Sequence, residues 1–482
     1  MSEAIRTVSC DHVIGPGGPM AGSLSIEIHG GKIASITPAS PATDRLLALP
    51  ALVNAHDHGR AIRTSSIGAD AKPLESWLHH LALFPALDPY LAAVMAFANS
   101  ALGGAGTVMV HYTRAQGLTD LPTEAKQIAR AARDVGVRCG FAISMKDRNP
   151  LVYGPTEPVL AALPPDVRGE IEARFLRTPL TPRDYVALVD DVAAAAAGPG
   201  FDVQYGPNGV QWCSDALLEA IAEASHATGR RVHMHLLETR YQRQWSDAAY
   251  PDGVVKRLDR IGLLSPRLTL AHGVWARPDE LELLAERGVT ISVNTSSNLH
   301  LHSGLAPVLA MKKAGCRMAL GIDSKALDDD DDSLRELRLS YLLHAGAGFE
   351  FADRHHALQS AVRNGRFAVT NIDDGGALEA GGAADLLLLD WAALDDDALR
   401  EDIDPINILF SRATAQQIRE LIVGGRTVVR DRRIVGVDLE AARREVLAQM
   451  RAGMAANGKL IAALSALHDV IAAHYLAEAP CC

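Results

Sequence analysis

Cysteine is scarce in this chain, with six in 482 residues. Cys10, Cys139, Cys213 and Cys316 stand far apart, Cys481 and Cys482 read as part of a short tail, and no C-x-x-C pair occurs. That excludes a disulfide framework and a thiolate zinc cluster, so a metal here is held by nitrogen and oxygen. Basic residues are also short: 47 Lys and Arg against 58 Asp and Glu leave a formal net charge of -11. A nucleic acid or an anionic membrane needs a basic surface, so neither is an expected partner. No apolar run reads as long enough to span a membrane, and Met1-Ser2-Glu3-Ala4-Ile5-Arg6 lacks the apolar core of a signal peptide. The expected compartment is the cytoplasm, the expected partner a small-molecule substrate, and the expected assembly a homodimer or higher homo-oligomer.

What is present is a series of histidines and acids at the ends of apolar stretches. His56-Asp57-His58 follows the run Leu47–Val53. Residues two apart on a strand share a face, so both imidazoles can reach one ion. Alone the pair is a weak signal. It gains weight from Val232-His233-Met234-His235-Leu236-Leu237-Glu238, from Leu270-Ala271-His272-Gly273 and from Leu320-Gly321-Ile322-Asp323-Ser324. Each is a short apolar stretch that carries a metal-competent or proton-transfer residue at or near its end.

The length favours one large domain with a minor one. Residues 1–50 read as short strands with alternating polarity, such as Ser23–Ile28 and Lys32–Ile36 around the turn Gly30-Gly31. Over 51–375 strand-like runs alternate with helical patterns, among them 122–135 and 215–228, which is the texture of a (β/α)₈ barrel. The candidate residues fall at strand ends, where barrel active sites lie. Residues 376–438 return to strands, including Ala384–Asp390 and a hairpin turning at Gly424-Gly425, and residues 439–482 read as a helical tail. The α/β fold expected is therefore a TIM barrel inserted in a small β-sandwich built from both chain ends.

These segments resemble the amidohydrolase superfamily, in the branch that holds cytosine, guanine and S-adenosylhomocysteine deaminases and triazine chlorohydrolases. The resemblance covers nearly the whole chain. It is carried by Leu49-Pro50-Ala51-Leu52-Val53-Asn54-Ala55-His56-Asp57-His58, where the family usually has Gly at position 51, and by Ser297-Asn298-Leu299-His300-Leu301-His302-Ser303-Gly304-Leu305-Ala306-Pro307. It closes at Leu378–Leu386. The resemblance implies one divalent metal, zinc first and Fe²⁺ as the alternative, on His56, His58, His235 and Asp323. It implies that Asp323 is also the general base, that Glu238, in an H-x-x-E, shuttles a proton to the leaving nitrogen, and that His272 polarises the substrate or holds the water. Strand 4 (Gln204–Asn208) offers no lysine for a bridging carbamate, so one metal is expected rather than two.

Trp77 resembles a pocket-wall tryptophan of this branch and equally suits an ordinary packed aromatic. Asn208 stands where adenosine-type deaminases usually carry His, and Leu87 stands at or near their ribose-binding Glu. Losing that carboxylate leaves ribose hydroxyls unpaired, which disfavours adenosine and S-adenosylhomocysteine as substrates. Asp328–Asp332 reads as the acidic cap of a following helix, with a pocket role for one or two of them as the minor alternative. His233, two residues before His235 on the same face, reads as a deeper packing residue. His302 and Arg114 are within reach of the barrel mouth, and His79-His80 and His355-His356 read as surface histidines. The function expected is hydrolysis of a C–N bond, foremost deamination of an aminopyrimidine, aminopurine, pterin or triazine. Dechlorination or amide, urea or carbamate hydrolysis at the same site is the near alternative, and a non-catalytic scaffold the remote one.

Overall fold

The computed structural model describes residues 5–477 except positions 16, 42–43, 71, 325–326, 328–329, 348–349, 352, 374–375 and 401. Eight parallel strands form its central sheet: β1 (Leu52–Asp57), β2 (Ala105–Tyr112), β3 (Arg138–Met145), β4 (Phe201–Pro207), β5 (Val232–Leu236), β6 (Leu268–His272), β7 (Thr290–Val293) and β8 (Arg317–Leu320). They lie in sequence order, each pairing with the next. Helices such as Leu121–Val135, Pro182–Ala196 and Asp215–Thr228 pack outside. The strands are almost wholly buried, as both faces of such a sheet are covered. Between β8 and β1 the closing bonds come from beyond the strand: the N–H groups of Ile322 and Asp323 both reach the His56 carbonyl, at 3.2 and 2.9 Å. Ile322 N–H also lies 2.9 Å from Asn54 Oδ1. Barrel closure and site assembly are thus the same set of contacts.

The chain ends build two further sheets. Arg6–Cys10, Leu24–His29 and Lys32–Pro38 make a three-stranded antiparallel sheet. A seven-stranded sheet interleaves both ends, with Leu46–Pro50 against Leu386–Asp390, and the hairpin Ile418–Val423/Arg426–Arg430 beyond. Val8, Ile26, Ile28 and Ile33 pack on Ala48, Leu386, Leu388 and Ile422 between them. The barrel is therefore inserted in a small sandwich, and Asp385 joins the two. Its carboxylate receives Arg138 of β3 at 2.5 Å, Arg366 of the helix Gly365–Thr370, and the Gly424 N–H at 2.6 Å.

Three expectations need amending. The helix Gly458–Ala477 is long and apolar enough, by length and composition, to cross a membrane. Its apolar side chains Leu460, Leu464, Leu467, Ile471 and Tyr475 are buried against the rest of the fold. His79 and His80 are not on the surface: the short helix Leu74–His80 is buried on almost every side, which its sequence pattern does not reveal. His355 and His356 are half-buried. Asp332 caps the helix Ser333–His344, accepting from Leu334 and Arg335 N–H groups at 3.1 and 3.0 Å, and Asp330 pairs with Arg335 at 2.9 Å. Asp328 and Asp329, like Cys481 and Cys482, lie outside the described residues.

Candidate active site

The pairing of β1 with β2 slips by one residue between Asn54 and Asp57. A bulge of this kind re-aims side chains beside active sites. Asn54 donates to Asp57 Oδ2 at 2.8 Å, and Asp57 Oδ1 accepts from Gly59 N–H at 2.6 Å, fixing the turn that carries His56 and His58. Gly321 runs so close beneath that a Cβ there would sit 2.8 Å from the His56 Cβ and 2.3 Å from Asn294 Oδ1. Only glycine fits.

His58 Nδ1 lies 2.8 Å from the His111 carbonyl, and His235 Nδ1 lies 2.7 Å from the Asn208 carbonyl. A carbonyl only accepts, so both rings carry their proton on Nδ1 and present a bare Nε2. Those two Nε2 atoms are 3.4 Å apart. Asp323 Oδ1 lies 3.1 Å from His58 Nε2 and 3.3 Å from His56 Nε2. Four donors placed tetrahedrally at the zinc–nitrogen bond length of about 2.0–2.1 Å would stand about 3.3 Å from one another. The observed spacings match that figure. His56 Nε2, His272 Nε2 and Glu238 Oε1 are sealed from solvent without a hydrogen-bond partner, an uncommon state for buried polar atoms. Donor atoms fall into two overlapping groups, His56–His58–Asp323 and His56–His235–His272, each within 4.8 Å. Composition, spacing and orphaned donors all fit a divalent metal.

The surroundings hold this set in place. His233 lies beneath it, its Nε2 3.3 Å from His56 Nδ1 and its Nδ1 3.2 Å from His111 Nδ1. Ser297 Oγ donates to Asp323 Oδ2 at 2.5 Å, and Asn298 Oδ1 is 2.9 Å from His272 Nδ1. His272 and Asp323 adopt left-handed backbone, φ 76° and 68°, as does Leu237 at 52°. Such conformations strain a residue with a Cβ and concentrate where side chains are aimed for function. Burial would raise the Asp323 carboxyl, but the His56 and His58 imidazoles outweigh it and hold the group well below the usual range. Glu238 goes the opposite way: burial, then Asp323 and Glu75, push it well above the usual carboxylate range. Burial lowers His272 to about 4, keeping it neutral.

Glu238 pairs with neither neighbouring arginine: Arg243 serves Glu280 at 2.8 Å, while Glu238 Oε2 stands 3.7 Å from His272 Nε2. Its N–H bonds Gln242 Oε1 at 2.8 Å, and the next residue, Thr239, donates to Glu75 Oε1 at 2.5 Å. Glu75 also takes the Tyr153 hydroxyl at 3.0 Å. Asn208 contributes its carbonyl to His235, and its side chain takes the Ser144 hydroxyl. Trp77 stands apart from the donors: its indole N–H bonds Thr64 Oγ1 at 3.0 Å, and the Arg60 guanidinium lies 5.8 Å from its ring. His302 is exposed. A cleft opens from His58 past Arg60, Leu81, Phe84, Leu87 and Arg114 to Met450. Sequence reading missed Ser297 and Asn298 as positioning groups, although both lie in the segment that carried the resemblance. It also missed Glu75 and Arg60, for which the sequence holds no local signal.

A barrel with a histidine–carboxylate centre at the ends of its strands defines a metal-dependent hydrolase. The model of the amidohydrolase family matches residues 47–428, and the chain belongs to that family, whose hydrolases act on carbon–nitrogen bonds. It is similar to a 5-methylthioadenosine/S-adenosylhomocysteine deaminase of Halobacterium salinarum, 29% identical over 450 residues, 90% of this chain and 94% of the relative. A 5'-deoxyadenosine deaminase of Methanothermobacter thermautotrophicus is 28% identical over 433 residues, 87% and 92% of the two chains. Among solved structures, an adenosine deaminase of Xanthomonas campestris with bound zinc aligns with TM-score 0.75 at 23% identity, covering 93% and 98% of the chains. A point mutant of atrazine chlorohydrolase TrzN of Arthrobacter aurescens TC1, complexed with zinc and atraton, aligns with TM-score 0.76 at 23% identity, covering 92% and 99%.

Proposed function

We propose that this protein deaminates an amino-substituted N-heterocycle, using one zinc ion on His56, His58, His235 and Asp323. The observation that carries the reading is geometric: His58 Nε2 lies 3.4 Å from His235 Nε2 and 3.1 Å from Asp323 Oδ1, while Glu238 and Asp323 flank His272 Nε2 at 3.7 and 3.9 Å. Two carboxyls in such different surroundings, Asp323 among imidazoles and Glu238 sealed with Oε1 unpartnered, divide the base and acid roles. A divalent cation held there polarises the reacting group and lowers the pKa of the attacking water. Asp323 takes the water proton once charge has moved onto the substrate. Glu238 gives a proton to a ring nitrogen; the proton that Asp323 took from water passes to the amine, and the C–N bond breaks with ammonia as the leaving group. His272, fixed by Asn298, aligns the attacked centre. Imidazole and carboxylate donors also accept Fe²⁺, so metal analysis of the native protein decides between the ions.

The substrate is smaller than a nucleoside in this reading. Leu87 is buried at the cleft wall and offers no side-chain group for ribose hydroxyls. The Asn208 amide is engaged by Ser144. The names of the relatives, at 26–29% identity over most of the chain, sit beside these two departures. The experiment is ammonia release from a panel of aminopyrimidines, aminopurines, pterins and triazines. Ammonia as the product supports deamination. Chloride or alkylamine release in its place assigns the site to the alternative leaving groups.

A further inference from the structure

Two arginines line the cleft beside the candidate metal centre, and neither has a carboxylate partner among the described residues. Arg60 donates through Nη2 to Thr113 Oγ1 at 2.7 Å, while its Nη1 is sealed from solvent with no partner. Arg114 gives one N–H to the Phe84 carbonyl. Arg174 approaches from behind, bonded to the Ala82 carbonyl at 2.5 Å. Burial lowers Arg60 to about 10 against the pull of the Asp323 and Asp57 carboxylates, and burial with Arg174 nearby lowers Arg114 to about 10, which still leaves both charged at neutral pH. Of the other buried arginines, Arg243 meets Glu280 and Arg366 meets Asp385, while Arg231 is satisfied by the Ala368 carbonyl and Asn371 Oδ1.

A buried guanidinium without a counter-charge is costly, and a ligand anion is what relieves it. Arginine's planar fork suits a carboxylate, which accepts two N–H groups side by side. Leu81, Phe84, Leu87 and Met450 give the wall an apolar face that suits a flat ring, beside the polar Tyr112, Thr113 and Gln116. We propose that the substrate carries a carboxylate held by Arg60 and Arg114, so that its class is a carboxylated amino-heterocycle. This rests on the reading of the centre as a C–N hydrolase, and its test is separable from that reading.

Binding is measured calorimetrically on zinc-loaded protein for two matched pairs, 5-carboxycytosine against its carboxamide and pterin-6-carboxylate against pterin. At least one acid is expected to bind more tightly than its uncharged mate, by roughly 10- to 100-fold, and more so at low salt. That preference should collapse toward unity in Arg114→Met and be partly kept in Arg114→Lys, with melting temperatures showing that both variants fold. Arg60→Gln is the second variant, read in the same way. Equal affinity for acid and mate in both pairs overturns the proposal, as do an unchanged preference in both the Arg114→Met and Arg60→Gln variants and a failure of both acids to bind. Ammonia assays run alongside keep the two readings apart. Arginine-dependent binding of an acid without ammonia release sinks deamination but leaves the carboxylate site standing. Ammonia release from the uncharged mates with no preference for acids does the reverse.

Discussion

Glu238 is the residue whose environment and chemistry are most tightly linked. It sits three positions beyond His235, just before the helix Arg240–Ala249, with its N–H fixed by Gln242. Burial, with Asp323 and Glu75 nearby, pushes its carboxyl well above the usual carboxylate range. Glu238→Gln preserves shape and lies outside the proposed donor set, so bound metal should remain while kcat falls about 10²- to 10⁴-fold. Paired metal analysis and turnover check this, and an unchanged kcat would return Glu238 to a structural role. At this scale the sequence was most legible where residues recur at strand ends: His56, His58, His235, His272, Glu238 and Asp323 converge in space. It was least legible where a role depends on a tertiary partner. Nothing local announces that Ser297 meets Asp323, that Glu75 meets Thr239, or that Arg60 Nη1 is buried without a hydrogen-bond partner.

Elements bring these residues together through a few polar joints as well as apolar packing. Strand–helix alternation is written in the hydrophobic pattern, so the barrel and the helix 215–228 could be read directly. The short helix Leu74–His80 could not, because seven residues carry too little periodicity to separate a buried helix from a surface one. Asp385 is the joint between sandwich and barrel. Its burial would raise the carboxyl, but Arg138 and Arg366 outweigh that and hold it below its ordinary value. A carboxyl with a depressed folded pKa stabilises the fold above its unfolded value, about 3.9, and loses that contribution as pH falls through the folded value. Asp385→Asn should therefore cost about 3 kcal/mol at neutral pH, because it strands buried Arg366, and the loss should shrink as wild type is acidified below pH of about 4. Denaturant unfolding across that range is the check. A difference that stays constant with pH would show that the ion pair is not what stabilises the joint.

At the scale of the whole molecule, the barrel is inserted into a sandwich, and the C-terminal helices reach back toward the site: Met450 lines the cleft beside His58, and the Tyr475 hydroxyl meets Tyr153, which bonds Glu75. The seven-stranded sheet was foreseeable from the returning strand pattern after residue 376, whereas its interleaved order depends on pairing between Leu46–Pro50 and Leu386–Asp390, some 340 residues apart by sequence number. The apolar helix Gly458–Ala477 shows how composition alone misleads: its buried face packs against the fold, with Tyr475 meeting the Tyr153 N–H at 3.0 Å. The account's central claim is that this fold exists to hold one catalytic metal on three imidazoles and a carboxylate. The most direct measurement is a titration of chelator-stripped protein with Zn²⁺, following bound metal and ammonia release in the same samples. The account predicts that activity is absent without metal and rises in proportion to it, levelling at about one equivalent, and that His56→Ala with His58→Ala abolishes both. Full activity in the stripped protein, or stoichiometric metal retained by the double variant, would contradict it.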